Sequence, residues 1–145
     1  MGESLCRDLG FLTARAHRAF RHWLAPRLEP FSISHEQFAL LTCLWAGDGI
    51  SQTELATRAY VDQTSLTRML QRMEESDLVH RRDDPEDHRV NLVYLTADAR
   101  DLEERILPLR HQGLQEAVAG LADHEVDELH RMLEYVFQNL AAEES

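Results

Sequence analysis

The chain has 145 residues, 43% hydrophobic and 28% charged, a balance that suits one folded domain and excludes a disordered chain. No apolar run reaches the roughly 18 residues of a membrane span, which removes the membrane as a partner. The net charge of −11 excludes a uniformly basic nucleic-acid binder, but the charge is unevenly spread.

Residues 1–50 carry five arginines against five acids, residues 51–95 six against nine, and residues 96–145 four against twelve. The acid therefore lies mostly at the C-terminal end. All fifteen cations are arginine, the better side chain for phosphates and guanine edges. The N-terminus lacks the basic-then-apolar pattern of a secretory signal, so a cytoplasmic protein is expected. Cys6 and Cys43 are too few and too unpatterned for a disulfide framework.

Leu5, Leu9, Leu12, Ala16, Phe20 and Trp23 recur at spacings of three and four, one face of a long helix ending near residues 26–30. Ser34 opens a second helix, with Gln37 completing a capping box. Its body, FALLTCLWA, is apolar nearly all round and predicts burial on several sides until Gly47-Asp48-Gly49 ends it. Ser51 and Glu54 then form an S-x-x-E box, in which each side chain satisfies a backbone donor of the other's turn. They start a short helix over 51–59 with Leu55 and Ala56 inward. Asp62 caps the next helix, 62–76, whose inward positions are Leu66, Met69, Leu70 and Met73.

A two-turn helix, a short connection and a four-turn helix make a helix-turn-helix. Residues 78–82 and 89–96 read as strands around a Pro-containing turn, so a β-hairpin follows and the whole is a winged helix. Beyond it, Leu102, Ile106, Leu109 and Leu114 mark one long helix with a bend expected at Pro108. Val126, Leu129, Leu133, Val136 and Leu140 mark another, widened by Met132 and Phe137. The expected fold is mainly α with a small β-hairpin wing. Within a single domain, 34–96 is the winged helix-turn-helix, and 1–32 with 97–145 is a helical dimerisation region. The apolar faces of that helical layer need a partner, and a second copy of the chain is the economical one.

At SQTELATRAYVDQTSLTRMLQRMEESDLVHRRDDPEDHRVNLVYLT the chain resembles the MarR family of bacterial transcription regulators. The resemblance runs from DLGFLTARAHRAF through the last helix. It is most specific at DQTSLTRMLQRMEESDLV, at the D-x-R of Asp87-His88-Arg89, and at the LVYLT closing the wing. It implies a homodimer with intertwined terminal helices, bound to a pseudo-palindromic operator in double-stranded DNA. It often implies repression released by a small phenolic or other aromatic effector. No cofactor is implied.

The first half of helix 62–76 presents Gln63, Thr64, Ser65, Thr67 and Arg68 while its leucines face inward. Gln binds adenine with two hydrogen bonds, Arg prefers guanine, and short hydroxyls adapt to several partners. Arg72, one turn on, suits a phosphate. Ser51 and Gln52 begin a helix whose free backbone N–H groups favour another. At the hairpin, four carboxylates (Asp83, Asp84, Glu86, Asp87) crowd around Pro85 before the lone Arg89. A tip beside a helix-turn-helix overlies the minor groove, where concentrated negative potential draws in arginine. Arg89 is expected to open the second strand, with Asp87 on the same strand face placed to hold its fork; the resemblance implies that Arg89 enters that groove and Asp87 orients it. Asp84 and Pro85 favour turn initiation, and Arg81 and Arg82 offset the acids and are candidate backbone contacts.

Other chemistries compete. Eight histidines suggest metal sensing, but no pair has the i, i+4 spacing, and in HEVDELH the fifth position is Glu128, so no metal ligand is assigned. Peroxide-sensing relatives carry a reactive cysteine in the first helix, which makes Cys6 the residue of a redox-responsive alternative, while Cys43 reads as inert core. No glycine loop or nucleophile motif points to an enzyme. For an effector, His17 and Arg21 lie one turn apart and are candidate carboxylate ligands, with Phe38 and Trp45 as aromatic walls.

Overall fold

The computed structural model describes residues 8–142. The chain divides into two compact units, Met1–Leu107 and Pro108–Ser145. In the first, α1 (Leu9–Leu28) starts where the Asp8 carboxylate accepts the Phe11 N–H at 2.7 Å. A 3-10 turn (Glu29–Phe31) leads to α2 (His35–Trp45). There the predicted capping box is complete: Ser34 Oγ accepts the Gln37 N–H at 3.1 Å and Gln37 Oε1 accepts the Ser34 N–H at 3.0 Å. Leu40, Leu41 and Leu44 are buried, whereas Phe38 and Trp45 are half-buried and Ala39 is exposed, so the helix is covered on fewer sides than its composition suggests.

The short strand β1 (Ile50–Ser51) runs directly into α3 (Gln52–Ala59). Ser51 Oγ accepts the Glu54 N–H at 3.0 Å, but the reciprocal half of the expected box is missing. The Glu54 carboxylate turns instead to Arg58 at 2.7 Å, because a guanidinium one turn on is a stronger partner than a neutral amide. Tyr60 ends α3 in the left-handed region (φ 52°) and makes the turn of the helix-turn-helix. α4 (Gln63–Glu75) follows, with Leu66, Leu70 and Met73 fully buried and Met69 at the margin. Burying each such side chain contributes about 1.5–3 kcal/mol.

β2 (Val79–Asp83) and β3 (Asn91–Leu95) form the wing, Val79 opposite Leu95 and Asp83 opposite Asn91. β1 adds to the far side of β3, giving an antiparallel sheet in the order β1-β3-β2. The periodicity did not predict this third strand, since it is two residues long and shares Ser51 with the helix cap. Gly49 (φ 73°) joins it to α2, and a Cβ there would lie 2.9 Å from the Tyr94 ring, so only glycine fits. Asp48 binds the Leu95 N–H at 2.8 Å and Arg100 at 2.6 Å, holding this loop against the end of the wing.

α5 (Ala97–Ala117) begins with Thr96 Oγ1 accepting the Ala99 N–H and stays helical through Pro108. Leu102 and Ile106 are buried as expected, but Leu114 is exposed. In the second unit α6 (Asp123–Ala141) has no buried residue: Leu129 is 37% exposed, Leu133 45% and Leu140 63%. No helix of the described residues is long and apolar enough to cross a membrane.

Candidate nucleic-acid interface

The fixed point of this region is the start of α4. The Asp62 side chain accepts the Ser65 N–H at 2.8 Å, and the Ser65 backbone and hydroxyl hold its carboxyl below the usual range. With the helix anchored inward by Leu66, Leu70 and Met73, the intervening positions must point out. Gln63, Thr64, Ser65, Thr67, Arg68 and Arg72 are all exposed, on the face the sequence assigned them. Thr67 donates its hydroxyl to the Gln63 carbonyl at 2.9 Å, a back-bond within the helix that leaves its oxygen lone pairs to accept elsewhere. Arg68 and Arg72 make no ion pair among the described residues, so both cations remain available to an anion.

At the wing tip the structure corrects the expected geometry. Arg89 does not open β3. Asp87 and Arg89 both lie in the tip, closed by the Val90 N–H on the Asp87 carbonyl at 2.9 Å, while Asp84 N–H reaches the Val90 carbonyl at 2.8 Å. The pair nevertheless forms as a fork. Arg89 Nε donates to Asp87 Oδ1 at 2.9 Å and its Nη2 to Oδ2 at 3.1 Å, and the Arg89 N–H also reaches Oδ1 at 3.1 Å. Three donors on one carboxylate push the Asp87 carboxyl down and hold the Arg89 guanidinium charged. The Arg89 side chain is 89% exposed, an oriented cation with free N–H edges at the tip. Asp84 Oδ1 accepts the Glu86 N–H at 2.9 Å, the side-chain turn expected of Asp-Pro.

Arg81 is not the free cation that the sequence suggested. Its Nε and Nη2 grip Glu74 at the end of α4 at 2.9 and 2.8 Å, and its Nη1 donates to Gln52 Oε1 at 3.3 Å. The pair is only a quarter to a third exposed, and the guanidinium holds the Glu74 carboxyl below its ordinary range. Wing, α4 and the start of α3 are thus tied at one point. Arg82 leans over Tyr94 at 5.7 Å, with His80 stacked on the same ring at 5.6 Å.

The residues proposed to hold an effector have other partners in the structure. Arg21 donates to Glu36 at 2.8 Å, and His17 packs edge-on against His35 at 5.4 Å. Phe38 and Trp45 do stand together, edge to face at 6.1 Å, but the Trp45 indole N–H donates to the Ala99 carbonyl at 2.9 Å as a core residue would. Arg21 also lines a shallow open groove with Arg18, His22, Ala25 and Pro26. Cys6 lies outside the described residues. Burial pushes the Cys43 thiol up, which suits an unreactive core position. Glu128 is paired with Arg131, and among the described residues no three His, Cys, Asp or Glu side chains converge.

The MarR family model matches residues 33–90, which take in the helix-turn-helix and most of the wing. The HTH-type transcriptional repressor IacR of Pseudomonas putida is 30% identical over 127 residues, covering 88% of this chain and 76% of its own length. A mutant of MarR from E. coli, solved in complex with operator DNA, is 30% identical, with a TM-score of 0.81 over 90% of this chain and 94% of its own. Bordetella bronchiseptica BpsR, described as regulated in DNA binding by 6-hydroxynicotinic acid, is 25% identical with a TM-score of 0.81, covering 90% and 93%. Two further curated HTH-type regulators match over 104 and 132 residues, and the chain spans 63% and 65% of their lengths. A helix-turn-helix with a three-stranded wing, shared at this identity across most of both chains, settles the assignment: the chain belongs to the MarR family of transcriptional regulators.

Proposed function

We propose that the protein is a cytoplasmic, sequence-specific regulator that binds double-stranded DNA as a homodimer. Each protomer lays the N-terminal half of α4 in a major groove and reaches the flanking minor groove with its wing. The observation that carries this is the pairing of an exposed polar face on a buried apolar anchor (Gln63, Thr64, Ser65, Thr67, Arg68 over Leu66 and Leu70) with an oriented arginine at the wing tip. Ser51, Gln52 and Arg72 supply phosphate contacts, which fix register without reading sequence. The exposed apolar row of α6 supports the dimer, whose symmetry sets two half-sites about 34–36 Å apart on a pseudo-palindromic operator. Binding then falls steeply with salt as counterions are released.

The test is a gel-shift titration with a duplex selected by the wild-type protein from a random pool. Arg89→Ala is expected to weaken binding more than tenfold, because Asp87 is left as a bare carboxylate beside phosphate, whereas Glu86→Ala leaves it unchanged. Equal affinity for wild type and Arg89→Ala refutes the reading.

For regulation, our reading is repression relieved by a small aromatic acid. BpsR, described as regulated by such a compound, supports it. Arg21 would exchange Glu36 for the ligand carboxylate, with His17, Phe38 and Trp45 nearby. Aromatic acids that release the selected duplex from wild type but not from Arg21→Gln would bear this out; release from both would sink the site.

A further inference from the structure

We infer that Arg81 is a positioning residue: its guanidinium, clamped by Glu74, holds the Gln52 amide oxygen and so turns the Gln52 NH2 donors at the start of α3 toward the phosphate backbone. The inference rests on the reading of α3 and α4 as the DNA-facing elements and deepens it.

Arginine has five N–H donors and no acceptor. Whatever faces its Nη1 at 3.3 Å must therefore be the amide oxygen of Gln52. The Gln52 NH2 group, on the other side of the same carbon, is then turned away from Arg81 with both donors unused by any described residue. The guanidinium is not free to rotate out of this arrangement, because Nε and Nη2 hold both carboxylate oxygens of Glu74. The neighbouring Ser51 Oγ accepts the Glu54 N–H at 3.0 Å and still has its hydroxyl proton to donate. A glutamine left to itself presents oxygen or nitrogen with equal ease, and half of those orientations repel a phosphate. Here an internal donor holds the Gln52 amide oxygen, so its NH2 donors are set for an anion before DNA arrives. The cost of orienting the amide is met in the folded protein rather than on binding.

The test uses the full chain and the selected duplex, with each phosphate replaced in turn by a neutral methylphosphonate. Wild type is expected to lose severalfold affinity at one phosphate per half-site, and Gln52→Ala to lose its sensitivity at that phosphate alone. Gln52→Glu places one carboxylate oxygen on Arg81 and the other toward the DNA. It should bind at least tenfold more weakly while melting at the same or a higher temperature, a split that a merely structural role would not produce. Arg81→Lys keeps a cation opposite Glu74 but loses the planar fork that spans both Glu74 and the amide. Sensitivity at the Gln52 phosphate should fall in that variant while the effect of Arg89→Ala persists. Wild-type affinity in Gln52→Glu, or unchanged sensitivity at that phosphate in Arg81→Lys, overturns the inference alone. A wild-type chain that selects no duplex overturns the underlying reading and this inference with it.

Discussion

α4 and α6 are both amphipathic, and they meet opposite fates. Three apolar side chains of α4 are fully buried under α2, α3 and the wing, and only its polar face meets solvent. α6 carries a comparable row in Leu129, Leu133 and Leu140, and none of it is buried. The same contrast runs along α1, where Leu24 and Leu28 are buried and Leu9, Leu12 and Phe20 are not. Amphipathicity states that a face will be covered; it does not state by what. The winged helix covers its faces with its own chain, whereas the apolar row of α6 and that of the first half of α1 stay exposed.

The sharpest way to break that comparison is to charge the uncovered face. Leu129→Asp with Leu133→Asp should abolish the dimer, read by sedimentation as a single chain, and operator binding should go with it. A dimer that survives both aspartates would show that another surface joins the copies. The next effect separates the two kinds of burial. Leu66→Ala should cost about 2–5 kcal/mol through lost transfer energy and the cavity left behind, the same at every protein concentration. The cost of Leu133→Ala should vary with protein concentration, because association is linked to folding there. Urea titrations over a hundredfold range of protein distinguish them.

How much of this was legible before the structure follows the same division. Local features were: the Ser34–Gln37 box, the Asp62 cap and the burial of Leu55, Leu66, Leu70 and Met73 each depend on residues within a few positions. Features set by long-range register were not. Arg81 meets Glu74 only once β2 folds back on α4, and Trp45 meets Ala99 across 54 residues, so neither partner could be read from spacing. The wing tip failed for another reason. The alternation from Arg89 to Leu95 satisfies a strand throughout, and only the Val90 hydrogen bond to Asp87 shows that the strand starts later, at Asn91. Glu54 fitted the capping pattern and was taken by Arg58, a competition between two local rules that composition does not rank.

Smaller effects sharpen the contrast at the helix starts. α2, α3 and α4 begin at Ser34, Ser51 and Asp62, each accepting a backbone N–H on its side chain, whereas α6 begins at Ala122, which has no side-chain acceptor. Ser34→Ala should cost about 1 kcal/mol. Ala122 has the extended backbone of a cap (φ −76°, ψ 158°), so Ala122→Ser should stabilise by a similar amount in thermal melts. A neutral Ala122→Ser would mean that the Glu125 carboxylate, which accepts the Ala122 N–H at 2.8 Å, already suffices for that end.

The smallest expected effect lies where His17 of α1 meets His35 of α2. His35 packs beside the His17 ring and near Arg21, with Glu36 drawn off onto Arg21, and its buried Nδ1 has no hydrogen-bond partner. Burial first, then the Arg21 charge, then His17 lower its pKa below the ordinary 6.5, and Glu36 only partly opposes them. The unfolded chain therefore takes up this proton before the folded chain does. The stabilising contribution is complete above pH 6.5 and is lost as pH falls through the lowered folded value. Partial solvation keeps it modest. Urea midpoints between pH 8 and pH 5 should fall less steeply for His35→Gln than for wild type, since glutamine has no proton to gain. Identical slopes would mean that the α1–α2 junction opens to water far enough to solvate the imidazolium.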